Sequence, residues 1–174
     1  MSHPLKQFKF CPKCGSPHFA ENNFKSKRCE SCGFIYYFNP SASTIALIVN
    51  DSDEILVATR AKEPAKGTLD LPGGFVDMAE SIEEAVVREV KEETNLDVAE
   101  IEYLFSTTNI YPYSDFDVHT IDFVYKCNAD ITKAIKAADD VSELKFIKIT
   151  DLNPDLFGLD SVREVVRRIK MTKI

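Results

Sequence analysis

The chain contains no tryptophan among its 174 residues, which rules out any signature built on that residue. It has no apolar run near the roughly 18 residues that a membrane-spanning helix requires. The opening Met1-Ser2-His3-Pro4-Leu5-Lys6 lacks the apolar core of a secretory leader. Together these absences predict a cytoplasmic protein whose thiols stay reduced. Internal repeats and low-complexity stretches are missing too, which excludes a repeat architecture. Nor is there an excess of positive charge: the net charge of −7 argues against general affinity for nucleic acid or acidic membranes.

The sequence is 44% hydrophobic, enough for an ordinary buried core and too much for a disordered chain. Its length suits one medium domain plus a small module. Charge is spread unevenly. Residues 1–38 carry six bases against two acids, a formal +4. Gly74 to Leu96 carries seven acids against two bases, a formal −5. So concentrated an acidic stretch is either solvated or neutralised by metal.

Four of the five cysteines fall in two pairs, Cys11-Pro12-Lys13-Cys14-Gly15 and Cys29-Glu30-Ser31-Cys32-Gly33, with fourteen residues between the pairs. A C-x2-C turn aims two sulfurs at one point, and Gly15 and Gly33 suit the tight turns. Four thiolates complete a tetrahedral Zn²⁺ site and leave no vacancy for water, so the expected role is structural. Two disulfides are the alternative, disfavoured by a reducing compartment and by the paired turns. The segment resembles a zinc ribbon, a unit with so little core that metal supplies its folding energy. With four thiolates and Zn²⁺ the module is only about +2 overall, by adding −2 to the formal charge of residues 1–38, which favours a packing or dimer role over nucleic-acid binding. Cys127 has no partner in spacing and reads as a small buried apolar residue.

The boundary is placed at Asn39-Pro40, giving a module over 1–38 and a main domain over 39–174. Thr44–Val49 and Glu54–Arg60 read as the strands of a hairpin around Asn50-Asp51-Ser52-Asp53. Ala61–Gly67 reads as a loop, and Thr68–Leu71 as a short strand closed by Pro72-Gly73-Gly74. Ser81 with Glu84 forms a capping box ahead of Ile82, Ala85, Val86 and Val90 at helical spacing; Asn95 can end that helix in the left-handed conformation. Strands follow at Ile101–Thr107 and Val118–Cys127, with Tyr111-Pro112-Tyr113 in the loop between them. A last strand, Lys145–Ile149, precedes an amphipathic helix over Asp160–Lys170. This mixed order of hairpins and two helices predicts an α/β or α+β sandwich.

The chemistry concentrates on the acidic helix. At about 100° per residue with Glu89 at zero, Glu92 lies near −60° and Glu93 near +40°, while Ile82, Ala85 and Val86 fall between roughly −40° and +60°. The three glutamates extend the apolar stripe, and Glu84, Arg88 and Lys91 occupy the other side. Carboxylates converging on a partly buried face repel one another and lose hydration. Hard divalent cations favour such oxygen ligands, and Mg²⁺ commonly binds a few carboxylates while bridging substrate phosphates. Glu89 and Glu93, one turn apart, can share an ion; Glu92 can hold a second or orient a water. A solvated charge run is the competing reading.

Gly74, Glu80 and Arg88-Glu89-Val90-Lys91-Glu92-Glu93-Thr94-Asn95-Leu96 match the pattern G-x5-E-x7-R-E-U-x-E-E-x-G-U, with U aliphatic. This resembles the Nudix box, and the broader likeness covers about 39–174. The one departure is Asn95 in place of the last glycine, and Asn tolerates positive φ better than other side chains. The resemblance implies an α/β/α sandwich with a mixed sheet behind the four-cysteine ribbon. It also implies Mg²⁺- or Mn²⁺-assisted hydrolysis of a phosphoanhydride in a small-molecule nucleotide substrate, and a homodimer as the candidate assembly. Carried onto matching positions, it makes Glu89, Glu92 and Glu93 metal ligands, with the Gly73 or Gly74 carbonyl completing the shell. Arg88 orients a box glutamate and Glu80 braces the loop–helix geometry, or both are purely structural. The family often draws a further acid from outside the box; Glu143, just before the last strand, is the candidate base or extra ligand, with an exposed turn residue as the equal alternative.

A zinc ribbon ahead of such a domain is similar to the layout of NADH pyrophosphatases. Their S-Q-P-W-P-F-P-x-S motif is absent, however, and Phe105-Ser106-Thr107-Thr108-Asn109-Ile110 stands in its place. Pro112, sixteen residues after Leu96, resembles a marker of ADP-ribose pyrophosphatases, and Tyr113 one of dinucleoside polyphosphate hydrolases. Tyr111 and Tyr113 can stack on a base, and Arg60 can contact a phosphate or stand exposed. His119 reads as structural. The expected order of substrates is ADP-ribose-like diphosphates, then NADH or NAD, then dinucleoside polyphosphates, with oxidised nucleoside triphosphates also open. A zinc-ribbon nucleic-acid-binding module on an inactive Nudix scaffold is the non-enzymatic alternative.

Overall fold

The structure, a computed structural model, describes residues 3–132 and 134–172; Met1 and Ser2, part of the stretch read for a leader, lie outside them. The chain divides into two compact units, Met1–Pro40 and Ser41–Ile174. No helix among the described residues is long and apolar enough to cross a membrane.

The first unit is a three-stranded antiparallel sheet in the order β1-β2-β3, with β1 at Phe19–Asn23, β2 at Ser26–Cys29 and β3 at Ile35–Tyr37. Its core is small: Phe34 packs on a cluster of Cys11, Phe19 and Cys29, and Leu5 is fully buried. Phe24 is 81% exposed at the hairpin tip. So little apolar burial leaves the cysteine turns to hold the unit together. Each turn closes on a glycine at positive φ, with Gly15 N–H donating to Cys11 O at 2.8 Å and Gly33 N–H to Cys29 O at 2.9 Å.

The second unit runs β4 (Ser41–Leu47), β5 (Glu54–Arg60), β6 (Leu69–Asp70), α1 (Ile82–Thr94), β7 (Val98–Tyr113), β8 (Phe116–Ala129), β9 (Val141–Lys148) and α2 (Asp160–Met171). Two three-stranded sheets form, β4-β8-β7 and β6-β5-β9. The β4–β8 pair is parallel and the others antiparallel, so the expected mixed α/β class is observed. Alternation along the central strands builds two cores. Ile45, Leu47, Ile55, Val57 and Val124 face Val162, Val165, Val166 and Ile169 of α2. Ala46, Ile48, Leu56 and Tyr125 face Val86 and Val90 of α1. Strands buried on both faces read as continuous apolar runs because each needs a helix on either side. Cys127 joins the α1-side core at 3% exposure, as expected of an apolar cysteine, and burial pushes its thiol up to about 12.

Three local expectations are corrected. First, the segments around Asn50 do not continue as a two-stranded hairpin. Beyond the bridge between Val49 and Ile55 they diverge, because β4 bonds along its length to β8 and β5 to β9. Second, Tyr111-Pro112-Tyr113 is strand, not loop. β7 and β8 form one long hairpin whose turn residues Ser114 and Asp115 both have positive φ, as a tight two-residue connection requires. Pro112 is tolerated because β7 is the edge of its sheet, where a missing N–H breaks no ladder. Third, β9 begins at Val141, so Glu143 lies within a strand.

α1 starts and stops as its sequence requires. The Ser81 side chain accepts from Glu84 N–H while the Glu84 carboxylate accepts from Ser81 N–H, and Asn95 sits at φ 62° and ψ 10°. We expect Asn95→Gly to leave stability within about 1 kcal/mol of wild type or to raise it, and Asn95→Val to cost ~1–2 kcal/mol, since a side chain in the left-handed region pays that penalty. Urea unfolding of both variants checks this; equal stability would mean that the turn relaxes.

Candidate active site

A short loop brings the acidic helix to the sheet. Residues after β6 lace onto β4: Ala46 N–H donates to Pro72 O at 2.7 Å, Thr44 N–H to Gly74 O at 2.8 Å and Val76 N–H to Ala42 O at 3.1 Å. The approach demands two glycines. A Cβ at Gly73, whose φ is 145°, would lie 2.1 Å from Thr44 O, and one at Gly74 would lie 2.6 Å from Oε1 of Glu89. The Gly74 carbonyl accepts from Thr44 N–H and keeps a second lone pair; the missing Gly74 side chain leaves room for the Glu89 carboxylate.

A cavity of about 280 Å³ opens beside this loop, with Glu89 and Glu93 in its lining. Glu93 is 7% exposed, and its Oε2 accepts from Gly73 N–H at 3.0 Å. Burial pushes the Glu93 carboxyl up to about 8, opposed by the Gly73 bond and reinforced by Glu89, Asp70 and Asp140. Burial also raises Glu89, whose Arg88 partner pulls the other way. Among the described residues no Lys or Arg pairs with Glu93 within 4.0 Å. A buried carboxylate without a cationic partner, beside a half-buried one that shares Arg88 with Glu80 and Glu92, makes a set of oxygen donors suited to a hard divalent cation.

Arg88 organises the outer side of this pair. Its Nε and Nη2 grip both oxygens of Glu80 at 2.7 and 2.9 Å, and Nη1 reaches Glu89 at 2.8 Å and Glu92 at 3.0 Å. The Arg88 hydrogen bond, helped by Asp77 N–H, holds Glu80 down at about 2. The bidentate pair is thus with Glu80, and Arg88 presents a single donor to Glu89.

Not every expected residue reaches the cavity. The Glu92 side chain is 48% exposed and lies against Arg88, at the edge of the helical stripe where solvent competes. Among the described residues only the cysteines gather three or more potential ligand atoms within 4.8 Å of one another. Glu143 is exposed on β9 and off the cavity, and Asp139 and Asp140 just before the strand line it instead. Pro112 and Tyr113 are exposed and off the cavity, whereas Tyr111 lines it, edge-on to Phe75 with ring centroids 5.5 Å apart. Arg60 lines it too, but is neither exposed nor free: it pairs with Asp70 and donates to Pro64 O at 2.7 Å and Tyr111 Oη at 3.3 Å.

Asp70, Asp122, Asn109 and Thr44 were not anticipated in the sequence, yet all line the cavity. Burial raises the Asp70 carboxyl while Arg60 opposes it. A signal existed for Asp122: polar residues at 120 and 122, one face of a strand that turns apolar at Val124.

In the first unit the four thiols can hold a metal. Cys11 and Cys32 sulfurs are 3.8 Å apart and those of Cys14 and Cys29 3.6 Å, far beyond a bond of about 2.05 Å, and all five cysteines are free. Tetrahedral sulfurs around one ion at ~2.3 Å would stand about 3.8 Å apart.

The NUDIX domain profile matches residues 39–169. The chain is 38% identical over 118 residues to the ADP-ribose pyrophosphatase of Methanocaldococcus jannaschii, covering 67% of this chain and 66% of that protein. It is 37% identical over 106 residues to the NAD-capped RNA hydrolase NudC of Pseudomonas aeruginosa, covering 61% of this chain and only 37% of that protein. The chain thus spans less than two thirds of either relative's length. Among solved structures, the MutT NUDIX hydrolase from Burkholderia pseudomallei superposes with a TM-score of 0.65 at 25% identity, over 75% of this chain and 98% of that one.

The Glu93 geometry has a pH consequence. Its folded value of about 8 lies above the ordinary 4.5, so the stability it contributes is complete below about 4.5 and is lost as pH rises through about 8. In Mg²⁺-free buffer, Glu93→Gln should melt near wild type at pH 4.5 and at least ~3 °C higher at pH 8.5. Calorimetry showing the same gap at both pH values would contradict this placement of the carboxylate.

Proposed function

The chain belongs to the Nudix family, and from that membership we propose that it hydrolyses a phosphoanhydride bond in a nucleoside diphosphate derivative, with an ADP-ribose-like substrate favoured. The observation that supports this reading is the pair of carboxylates on the box helix, Glu93 buried and Glu89 half-buried, that line one cavity. These two would hold Mg²⁺ or Mn²⁺, and Glu92 would join them only by leaving Arg88. Bound there, a divalent cation neutralises the diphosphate and lowers the pKa of an attacking water. Arg88 and Glu80 position Glu89. Asp139 and Asp140 take the place proposed for an acid outside the box, since Glu143 faces away.

The name of the archaeal relative supports ADP-ribose. The second reading, NADH or NAD, is supported by the bacterial relative's name and by the thiol cluster ahead of the domain. Tyr113, the marker for dinucleoside polyphosphates, lies off the cavity, which lowers that reading. Residues 1–38 are proposed as a structural Zn²⁺ ribbon through Cys11, Cys14, Cys29 and Cys32. A cytoplasmic homodimer is the proposed setting, checked by light scattering.

With Mg²⁺, ADP-ribose should yield AMP and ribose 5-phosphate. Glu93→Gln should lower kcat at least on the order of 100-fold, more than loss of a group behind a ligand costs. Tyr111→Ala should raise KM by up to about 5- to 150-fold, the worth of stacking on a base, whereas Tyr113→Ala should change little. Chromatography of products across ADP-ribose, NADH, NAD and dinucleoside polyphosphates decides the substrate; preferential cleavage of NADH would reverse the ranking. For the ribbon, elemental analysis should find about one zinc per chain as purified, and Cys14→Ser should unfold the ribbon without removing Glu89 or Glu93. Paired, oxidised cysteines without zinc would refute it.

A further inference from the structure

The cavity has a polar end that the box does not account for. Asp122 on β8 is 5% exposed, and its Oδ1 accepts from two hydroxyls, Ser43 of the parallel neighbour β4 and Thr120 of its own strand, the latter at 2.5 Å. Both donors are spent on the same oxygen, and Oδ2 receives no hydrogen bond among the described residues. Asn109 on β7, paired in register with Thr120, is 8% exposed and lines the cavity with its side-chain amide unbonded within the described residues. Thr44 is 2% exposed on the same lining, and its Oγ1 makes no hydrogen bond. Thr44 Oγ1 is a buried polar atom left without a partner, which is costly; Asp122 Oδ2 and the Asn109 amide add unbonded polar groups to the same lining, and together they point to a polar occupant. Leu159, Val162 and Ile45 line the same cavity. A lining that mixes apolar side chains with unbonded polar groups suits a flat base, covered on its face and read along its edge.

We propose that Asp122 selects the base of the nucleotide, with Oδ2 accepting from an exocyclic amino group while the Asn109 amide meets the ring nitrogen beside it. The assignment rests on the nucleotide-hydrolase reading above and adds a preference for adenine. Adenine offers an amino donor next to an acceptor nitrogen. Hypoxanthine replaces the amino group with a carbonyl and protonates the neighbouring nitrogen. Asn109 cannot discriminate between them alone, because its amide presents either a donor or an acceptor by rotation. A carboxylate only accepts, so Asp122 meets adenine with a hydrogen bond and hypoxanthine with two opposed lone pairs. Sites built to hydrogen-bond a substrate group discriminate strongly against the analogue that lacks it.

The test is binding rather than turnover. With Mg²⁺, AMP should bind wild-type protein about tenfold or more tightly than IMP by calorimetric titration. Asp122→Asn keeps Oδ1 as the acceptor for Ser43 and Thr120 and turns only Oδ2 into a donor, so it should bring the AMP/IMP ratio near one or reverse it. Asn109→Ala should weaken both nucleotides and preserve the ratio. Equal affinity of wild type for AMP and IMP overturns the proposal even if the variant fails to fold. So does an unchanged ratio in Asp122→Asn, or a variant that loses instead the distinction between AMP and 2′-deoxy-AMP, which would place Asp122 on the ribose. Failure to cleave ADP-ribose with AMP selectivity intact would remove the proposed reaction and leave this assignment standing.

Discussion

The second unit is arranged around two carboxylates drawn toward its core, Glu93 buried and Glu89 half-buried. Glu89 and Glu93 sit on the stripe of α1 that otherwise packs into the core, and a charge taken from water there must be met by something. The solution visible in the protein is partial. Gly73 gives one N–H to Glu93, and Arg88 gives one donor to Glu89 while spending its bidentate grip on Glu80. Both carboxyls remain raised, an unfavourable arrangement that a cation would relieve.

That constraint explains features that look unrelated in the chain. Gly73 and Gly74 are required because backbone and carboxylate approach closer than any Cβ allows. The loop is threaded onto β4 by three backbone hydrogen bonds, which holds the helix against the sheet at the cavity's edge. The capping box and the left-handed Asn95 set where α1 begins and ends, and so which of its turns face inward. A shift of one residue would rotate the glutamates by about 100° and carry Glu93 out of the cavity.

The first unit follows the same logic with softer ligands. Its buried cluster is three residues and a neighbouring phenylalanine, too little apolar surface to hold forty residues by itself. Its four sulfurs converge as the glutamates do in the larger unit, and among the described residues they gather within 4.8 Å of one another.

Local pattern alone determined much of this protein. The C-x2-C pairs, the caps of α1, the strand Glu54–Arg60 and the inward placement of Glu89 and Glu93 follow from spacing and side-chain type, because turns, caps and helical faces depend on neighbours within a few residues. What spacing could not decide was which groups meet across the fold. It offered Glu92 as a ligand and left Glu143 open between site acid and exposed residue; in the fold Glu92 lies half-exposed against Arg88, and Glu143 is exposed and off the cavity. It read Tyr111 to Tyr113 as a loop, because the tolerance of an edge strand for proline is a property of the sheet. It passed over Asp70, Asn109 and Asp122, which lie far apart in sequence: Asn109 and Asp122 come together because β7 pairs with β8, and Asp70 reaches the same cavity from β6 of the other sheet. Register between strands is set by burial on both faces at once, and that is a tertiary quantity that no single segment of the chain contains.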